Sequence, residues 1–122
     1  MVKGRKLTGG KYHKFSKKKK HALRGDTRKV KLRETKQKKI RGMGGGEKVV
    51  LLSSDYVNLI DLKTKKAKKV KIKNVLETPA NRFLARQNIL VKSTIIETEL
   101  GKARITNRPS QEGMVQGVLI EG

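Results

Sequence analysis

The sequence predicts a mainly β fold: a small barrel-like body of about six short strands with one short helix, behind a long basic N-terminal extension. Three observations predict it. First, charge and apolar residues are segregated along the 122 residues. Positions 1–48 hold 19 Lys and Arg, 3 Asp and Glu and 11 apolar residues, whereas positions 49–122 hold 13, 7 and 31. Second, short apolar or alternating runs recur through the second part, divided by turn residues at the close spacing of a small barrel or sandwich. Third, only the stretch after Thr78-Pro79 carries good helix-start signals.

The expected division is a basic extension over 1–26 and a body over 27–122, with 27–46 transitional. Met1 to Arg24 shows no sustained period. Leu7, Tyr12, Phe15 and Leu23 stand isolated among charges, and Gly4, Gly9, Gly10 and Gly25 would each cost a helix about 1 kcal/mol. Such a segment cannot bury enough apolar surface to offset its ordering entropy. In Arg28–Glu34, Val30 and Leu32 alternate with Lys29, Lys31 and Arg33, so this stretch reads as a short strand able to join the body. Its boundary with the true extension then lies near Gly25-Asp26. Thr35–Lys39 is polar and basic, Ile40 begins a link into the glycine cluster, and Gly44-Gly45-Gly46 is a loop or hinge. If Arg28–Glu34 joins the body, that glycine cluster becomes a turn within the fold.

Glu47–Ser53, with Val49 to Leu52 as a continuous apolar run, is the first firm strand. Ser53-Ser54-Asp55 turns the chain, Tyr56–Asp61 is a second strand, and Thr64–Lys66 a polar reversal. Lys68–Val75 is a third strand, with Val70 and Ile72 inward and Lys69, Lys71 and Lys73 outward. That lysine row fits either protection of an edge strand or contact with a polyanion. Thr78 is the expected N-cap and Pro79 the first helical residue. Phe83 and Leu84 give a small apolar stripe, Arg82 and Arg86 share one side, and Asn88 ends the helix. Ile89–Lys92, Thr94–Thr98, Lys102–Thr106 and Met114–Ile120 complete the strands, with Ala103 and Ile105 facing in and Arg104 out.

The formal net charge is +22, with 32 Lys and Arg against 10 Asp and Glu. A chain so charged repels itself, and a polyanion is its expected partner. There is no long apolar run to span a bilayer, and no apolar face beside the lysines to rest on one. Val2 to Lys6 leads into more charge, not into a signal-peptide core. Cysteine is absent, which excludes disulfides and thiolate metal sites. An unprocessed basic chain with no address fits the cytoplasm.

Catalytic chemistry finds no foothold. His13 and His21 lie in the basic extension without a carboxylate at useful spacing. Glu97 and Glu99 share one strand face but read as partners for Lys102 or Arg104 on the next strand, and Asp55 and Asp61 as turn residues. Neither G-x-x-x-x-G-K-[ST] nor G-x-G-x-x-G occurs in the right context. No enzyme activity, cofactor, metal or small-molecule substrate is therefore expected. What remains is electrostatic recognition: each cation that neutralises a phosphate releases counterions and makes affinity salt-dependent.

The run from Ile95 to Pro109, Ile-Ile-Glu-Thr-Glu-Leu-Gly-Lys-Ala-Arg-Ile-Thr-Asn-Arg-Pro, resembles the signature of the archaeal and eukaryotic "S-eight-e" small-subunit ribosomal proteins. Lys6-Leu7-Thr8-Gly9-Gly10, Tyr56-Val57-Asn58, Pro79-Ala80-Asn81-Arg82, Gln111-Glu112-Gly113 and Val118-Leu119-Ile120-Glu121 also match, so the resemblance covers nearly the whole chain. It implies a structural constituent of the small ribosomal subunit, working in translation within the cytoplasmic ribosome. Its partners would be small-subunit rRNA and neighbouring ribosomal proteins. The short length resembles the archaeal form. Two departures stand out. The family tends to carry Arg-Gly-Gly-Asn before the first core strand, where this chain has Arg41-Gly42-Met43-Gly44-Gly45-Gly46. The Lys17–Lys20 run is also richer in lysine than the family's mixed pattern.

On this basis the expected RNA-binding residues in the extension are Lys3, Arg5, Lys6, Thr8, Gly9, Gly10, Lys11, Tyr12, His13, Lys14, Lys17, Lys18, Lys19, Lys20 and Arg24. At the transition they are Arg28, Arg33 and Arg41, and on the body Asn81, Arg82, Arg86, Arg104 and Arg108. Two alternatives compete with the ribosomal reading. One is an assembly factor of a related family, which normally carries a longer N-terminal part. The other is a DNA-compacting architectural protein.

Overall fold

The structure, a computed structural model, describes residues 4–13 and 17–120. Among these are eight strands and one short α-helix: β1 (Lys31–Leu32), β2 (Lys36–Arg41), β3 (Glu47–Ser54), β4 (Tyr56–Ile60), β5 (Ala67–Glu77), α1 (Arg82–Arg86), β6 (Ile95–Thr98), β7 (Gly101–Ile105) and β8 (Gln116–Leu119). The last five strands close into a barrel in the order β4-β5-β6-β7-β8, and the first three form a separate sheet in the order β1-β3-β2. The barrel-like body with one short helix is therefore the architecture found, with two more strands than anticipated.

The odd number of strands makes the closing pair parallel. Consecutive strands from β4 to β8 pair antiparallel, so the fifth runs in the same direction as the first, and β8 meets β4 as a parallel pair, Asn58 opposite Gln116 and Ile60 opposite Val118. Gly117 occupies this seam. A Cβ there would lie 3.0 Å from the Arg104 carbonyl oxygen and 3.1 Å from Leu59 Cδ2, so any side chain at 117 would crowd the β7 backbone and the core. Inside, Val57, Leu59, Val70, Ile72, Ile96, Ala103 and Ile105 alternate inward and join Val30, Leu51, Val75, Leu90 and Val115 in one aliphatic core. The inward rhythm of β5 slips between Ile72 and Val75, where its pairing with β6 shifts register.

Arg28–Glu34 does join the body, but only Lys31–Leu32 is strand, pairing parallel with β3. Val30 is fully buried, its carbonyl accepts from Leu90 N–H at 2.8 Å, and Leu32 N–H donates to Asn88 O at 2.8 Å. The segment is thus held between β3 and residues 88–90. The polar stretch and the link after it are instead one strand, β2, from Lys36 to Arg41, a full hairpin partner of β3. Only Ile40 in it is even half-buried, so it carries no apolar alternation for a sequence reading to find. The glycine cluster is the turn of that hairpin, with Gly42 N–H donating to Gly46 O.

Three other expectations are corrected. The helix begins at Arg82, not at Pro79: Asn81 is the N-cap, its Oδ1 accepting from Phe83 N–H at 3.0 Å. Thr78 is buried instead, and its hydroxyl has no hydrogen-bond partner among the described residues. Phe83 faces solvent, while Leu84 and Ala85 are half-buried, Ala85 against the core. Ile89–Lys92 is not a strand; Ile89 makes a single bridge to Lys31, and the chain then turns through Ser93. Finally, β5 is paired on both sides within a closed barrel, so its lysine row protects no edge. The lysine-marked edge is β2, with Lys36, Lys38 and Lys39 exposed.

Candidate nucleic-acid interface

The strap between β7 and β8 ties sheet to barrel and anchors the root of the basic arm. Pro109 is buried, and its carbonyl and that of Glu112 both accept from Leu51 N–H of β3, at 3.3 and 3.2 Å. Gln37 Nε2 donates to Gly113 O and Lys48 Nζ to Gln111 Oε1, each at 2.6 Å. Asn107 closes the strap on itself: its Nδ2 donates to Glu112 Oε2 at 2.7 Å and to Met114 O at 2.8 Å, and its Oδ1 accepts from Gln116 N–H at 3.0 Å. Arg28 Nε donates to Ser110 O at 3.2 Å, and a cleft of about 320 Å³ between Arg24–Arg28 and Ser110-Gln111 marks where the arm leaves the body.

Outward from that root the arm is exposed at every described position from Gly4 to Lys29. It is not wholly irregular. Lys6-Leu7-Thr8-Gly9-Gly10 forms a tight hairpin: Gly9 N–H donates to Lys6 O and Lys6 N–H to Gly10 O, both at 2.9 Å, and Arg5 pairs with Lys11 across it. Gly9 has φ of 77°, the left-handed region that follows a type I turn in such loops and that glycine enters without steric cost. Arg5 Nη1 donates to Gly9 O at 3.0 Å, and Lys6 Nζ stands 5.8 Å from the Tyr12 ring centroid. A single 3-10 turn at Lys20–Ala22 follows the lysine run. The candidates Lys3 and Lys14, and Phe15 beside them, lie outside the described residues.

The body candidates gather at one end of the barrel. Arg104 projects from β7, and the register Glu77–Ile95–Arg104 sets it two strands from where β5 ends and α1 begins. Arg82 and Arg86 stand exposed on α1, and Arg108 on the strap. Asn81 commits its carbonyl oxygen to the cap, leaving its amide hydrogens as donors. Arg33 is exposed beside β1, and Arg41 lies away from this group, at the glycine turn of the β2–β3 hairpin.

On the outer face of β4 and β5 the structure adds an aromatic ring to the lysine row. There Tyr56 lies opposite Lys71, and Lys69 Nζ stands 4.7 Å from the Tyr56 ring centroid. The sequence shows Tyr56 at an outward position of its strand, but only the β4–β5 register sets it beside the row of outward lysines. Among the described residues no group of three His, Cys, Asp or Glu is placed to hold a metal ion, and no helix is long and apolar enough to cross a membrane.

A small closed barrel that holds the root of an exposed cationic arm, with arginines grouped at the same end, defines a protein built to dock on a polyanion. Residues 2–120 match the family Ribosomal protein S8e, and the chain belongs to that family. It is 46% identical over 117 residues to the small ribosomal subunit protein eS8 of Methanococcus aeolicus, covering 95% of this chain and 91% of that one. Proteins of the same name from Sulfurisphaera tokodaii and Ignicoccus hospitalis are 45% and 48% identical, each covering 96% of this chain and 92% of theirs.

Proposed function

We propose that this protein is a structural, non-enzymatic constituent of the small ribosomal subunit, binding folded rRNA in the cytoplasmic ribosome. Membership of the S8e family across residues 2–120, with archaeal relatives named as small-subunit proteins, is the observation that carries this reading. The geometry supplies its physical form. The barrel fixes one end of a chain segment, residues 1–26, that has too few apolar residues to fold by itself, and ordering of that segment is completed on rRNA. Arm lysines and arginines meet phosphates, which fixes position and follows backbone shape more than sequence. Arg82, Arg86, Arg104 and Arg108 present planar forks at the end of the barrel where the arm is rooted, suited to bidentate phosphate contacts. Neighbouring ribosomal proteins are the remaining partners.

Ribosomes sedimented through high salt test the reading. The protein is expected to remain in mature small subunits. Recovery only in precursor particles would assign it to assembly, and recovery with chromosomal DNA would assign it to compaction.

A further inference from the structure

Phosphate contacts account for the cations but not for the aromatic residues. The core is entirely aliphatic. All three described aromatic residues are on the surface, Tyr12 50%, Tyr56 40% and Phe83 61% exposed, although a buried ring would contribute more to stability than any core residue present. Each stands beside cations: Tyr12 by Lys6, Tyr56 by Lys69 and Lys71, Phe83 next in sequence to Arg82.

Around Tyr56 the surface is more than a ring and charges. Asn58, the next outward residue of β4, lies opposite Gln116 of β8. Among the described residues both side-chain amides donate only to the Met114 thioether, Asn58 Nδ2 at 3.9 Å and Gln116 Nε2 at 3.3 Å. Sulfur is a weak acceptor, so both amides keep nearly all their hydrogen-bonding capacity, and their carbonyl oxygens are unspent. The adjoining cleft, about 320 Å³, lies in the seam between barrel and sheet and is lined by Tyr56, Asn58, Lys69 and Met114, with Gln37 on its sheet side. An aromatic face, a soft thioether, two unspent amides and flanking ammonium groups are the complement of one nucleotide: a flat base with a polar edge, and a phosphate.

We propose that this seam is a binding site for a single unpaired base of small-subunit rRNA. The base stacks on Tyr56, its edge is read by the amides of Asn58 and Gln116, and its backbone phosphate is met by Lys69 or Lys71. Unstacked bases are what RNA-binding surfaces recognise through aromatic platforms and amide contacts, since the grooves of A-form helices show little of their sequence. On the free protein Lys69 rests near the ring; with a flexible four-carbon stem it moves to the phosphate as the base takes the ring. This rests on the ribosomal reading above, but adds a base-directed contact to a surface otherwise read as tracking phosphates.

The test uses the full chain and transcribed small-subunit rRNA. The sequence contains no tryptophan, so Tyr56→Trp places a single indole at the site. The expected result is retained binding with quenched indole emission as rRNA is added. Tyr56→Phe keeps affinity, whereas Tyr56→Ala loses about 5- to 150-fold, the range for one stacked base. The salt slope stays unchanged, because no phosphate contact is removed. Complex formation with unaltered indole emission, or Tyr56→Ala binding within about twofold of wild type, would overturn the site and leave the rRNA-binding function standing. Burial of Tyr56 in assembled subunits alone, without quenching by rRNA, would give the surface to a neighbouring protein and overturn it as well. Failure of the unmodified chain to bind rRNA would remove both readings together.

Discussion

The two ends of the barrel differ in what covers them and in whether arginine stands among their cations. At one end the β1-β3-β2 sheet, helix α1 and the β7–β8 strap pack over Val30, Leu51 and Leu90, and the arm is rooted there. Arg28, Arg82, Arg86, Arg104 and Arg108 belong to this end. At the other end the β4–β5 and β6–β7 turns project with Leu62, Leu100 and Ile120 exposed, and the cations are Lys63, Lys65, Lys66, Lys68 and Lys102. Arginine needs a fixed platform for its planar fork to meet phosphate with two parallel hydrogen bonds, whereas lysine is a point charge on a mobile stem. The covered end, where backbone is pinned from several sides, is therefore suited to docking of defined shape, and the open end to diffuse attraction.

The sharpest way to break that contrast is to remove the arm. Deleting residues 1–26 takes away 10 Lys and Arg. If all ten meet phosphates, the log–log salt slope of rRNA binding shrinks by on the order of 7 to 9, with affinity lost by orders of magnitude. The body is expected to keep its strand signal in circular dichroism and its unfolding midpoint, because Val30 and β1 stay in place. Unfolding of the truncated chain would show that the boundary near Gly25-Asp26 is misplaced.

Thr78→Val tests how well the covered end is packed. The Thr78 hydroxyl is buried without a partner among the described residues, and a methyl of the same shape removes that unsatisfied group. Urea denaturation is expected to show unchanged or higher stability, by up to about 1–3 kcal/mol. A lower midpoint would mean that a hydrogen bond, through water, is being lost.

Those same residues show how far the sequence could be read. The barrel strands announced themselves because one face is buried and the other is wet, so Val70 and Ile72 alternate with lysines, and Ala103 and Ile105 with Arg104. β2 was invisible because both its faces meet solvent; backbone pairing with β3 holds it, and pairing leaves no trace in composition. Thr78-Pro79 offered a good cap, but the chain makes another turn first, with Asn81 N–H donating to Thr78 O at 3.1 Å, and the real cap is Asn81. The cationic character of the site was legible in the arm residue by residue. Its grouping on the body was not, since Arg28, Arg82, Arg104 and Arg108 come to one end only through barrel closure and the strap. Tyr56 and Asn58 went unselected because an outward strand residue becomes part of a site only once its neighbours across the seam are known.

The next contrast is between fork and point charge. Replacing Arg82 and Arg86 together by Lys keeps the charge and removes the fork. Affinity for rRNA is expected to fall by roughly tenfold, about 1.4 kcal/mol, at an unchanged salt slope. Conversion of two open-end lysines, Lys66→Arg and Lys68→Arg, is expected to leave affinity unmoved. Equal responses at the two ends would dissolve the distinction between them.

The smallest effect belongs to the open end, at the β4–β5 turn. Asp61 is a lone acid among Lys63, Lys65 and Lys66, and its carboxylate accepts from Thr64 Oγ1 at 2.8 Å and from Lys63 N–H at 3.0 Å. These bonds, the Thr64 hydroxyl first, hold the Asp61 carboxyl below the usual aspartate range. A carboxyl depressed in the folded state binds its proton more readily in the unfolded chain. Its contribution to stability is therefore fully present above the ordinary aspartate pKa of about 3.9, and is lost as pH falls through the lower folded value. Thermal unfolding of wild type and Asp61→Asn should show a small deficit for the variant at neutral pH that closes under acid conditions. Because the turn is formed by local bonds and stands clear of the arm, rRNA binding by the variant should match wild type at every salt concentration. A deficit that persisted below the folded pKa would mean that the turn depends on the shape of the side chain and not on its charge.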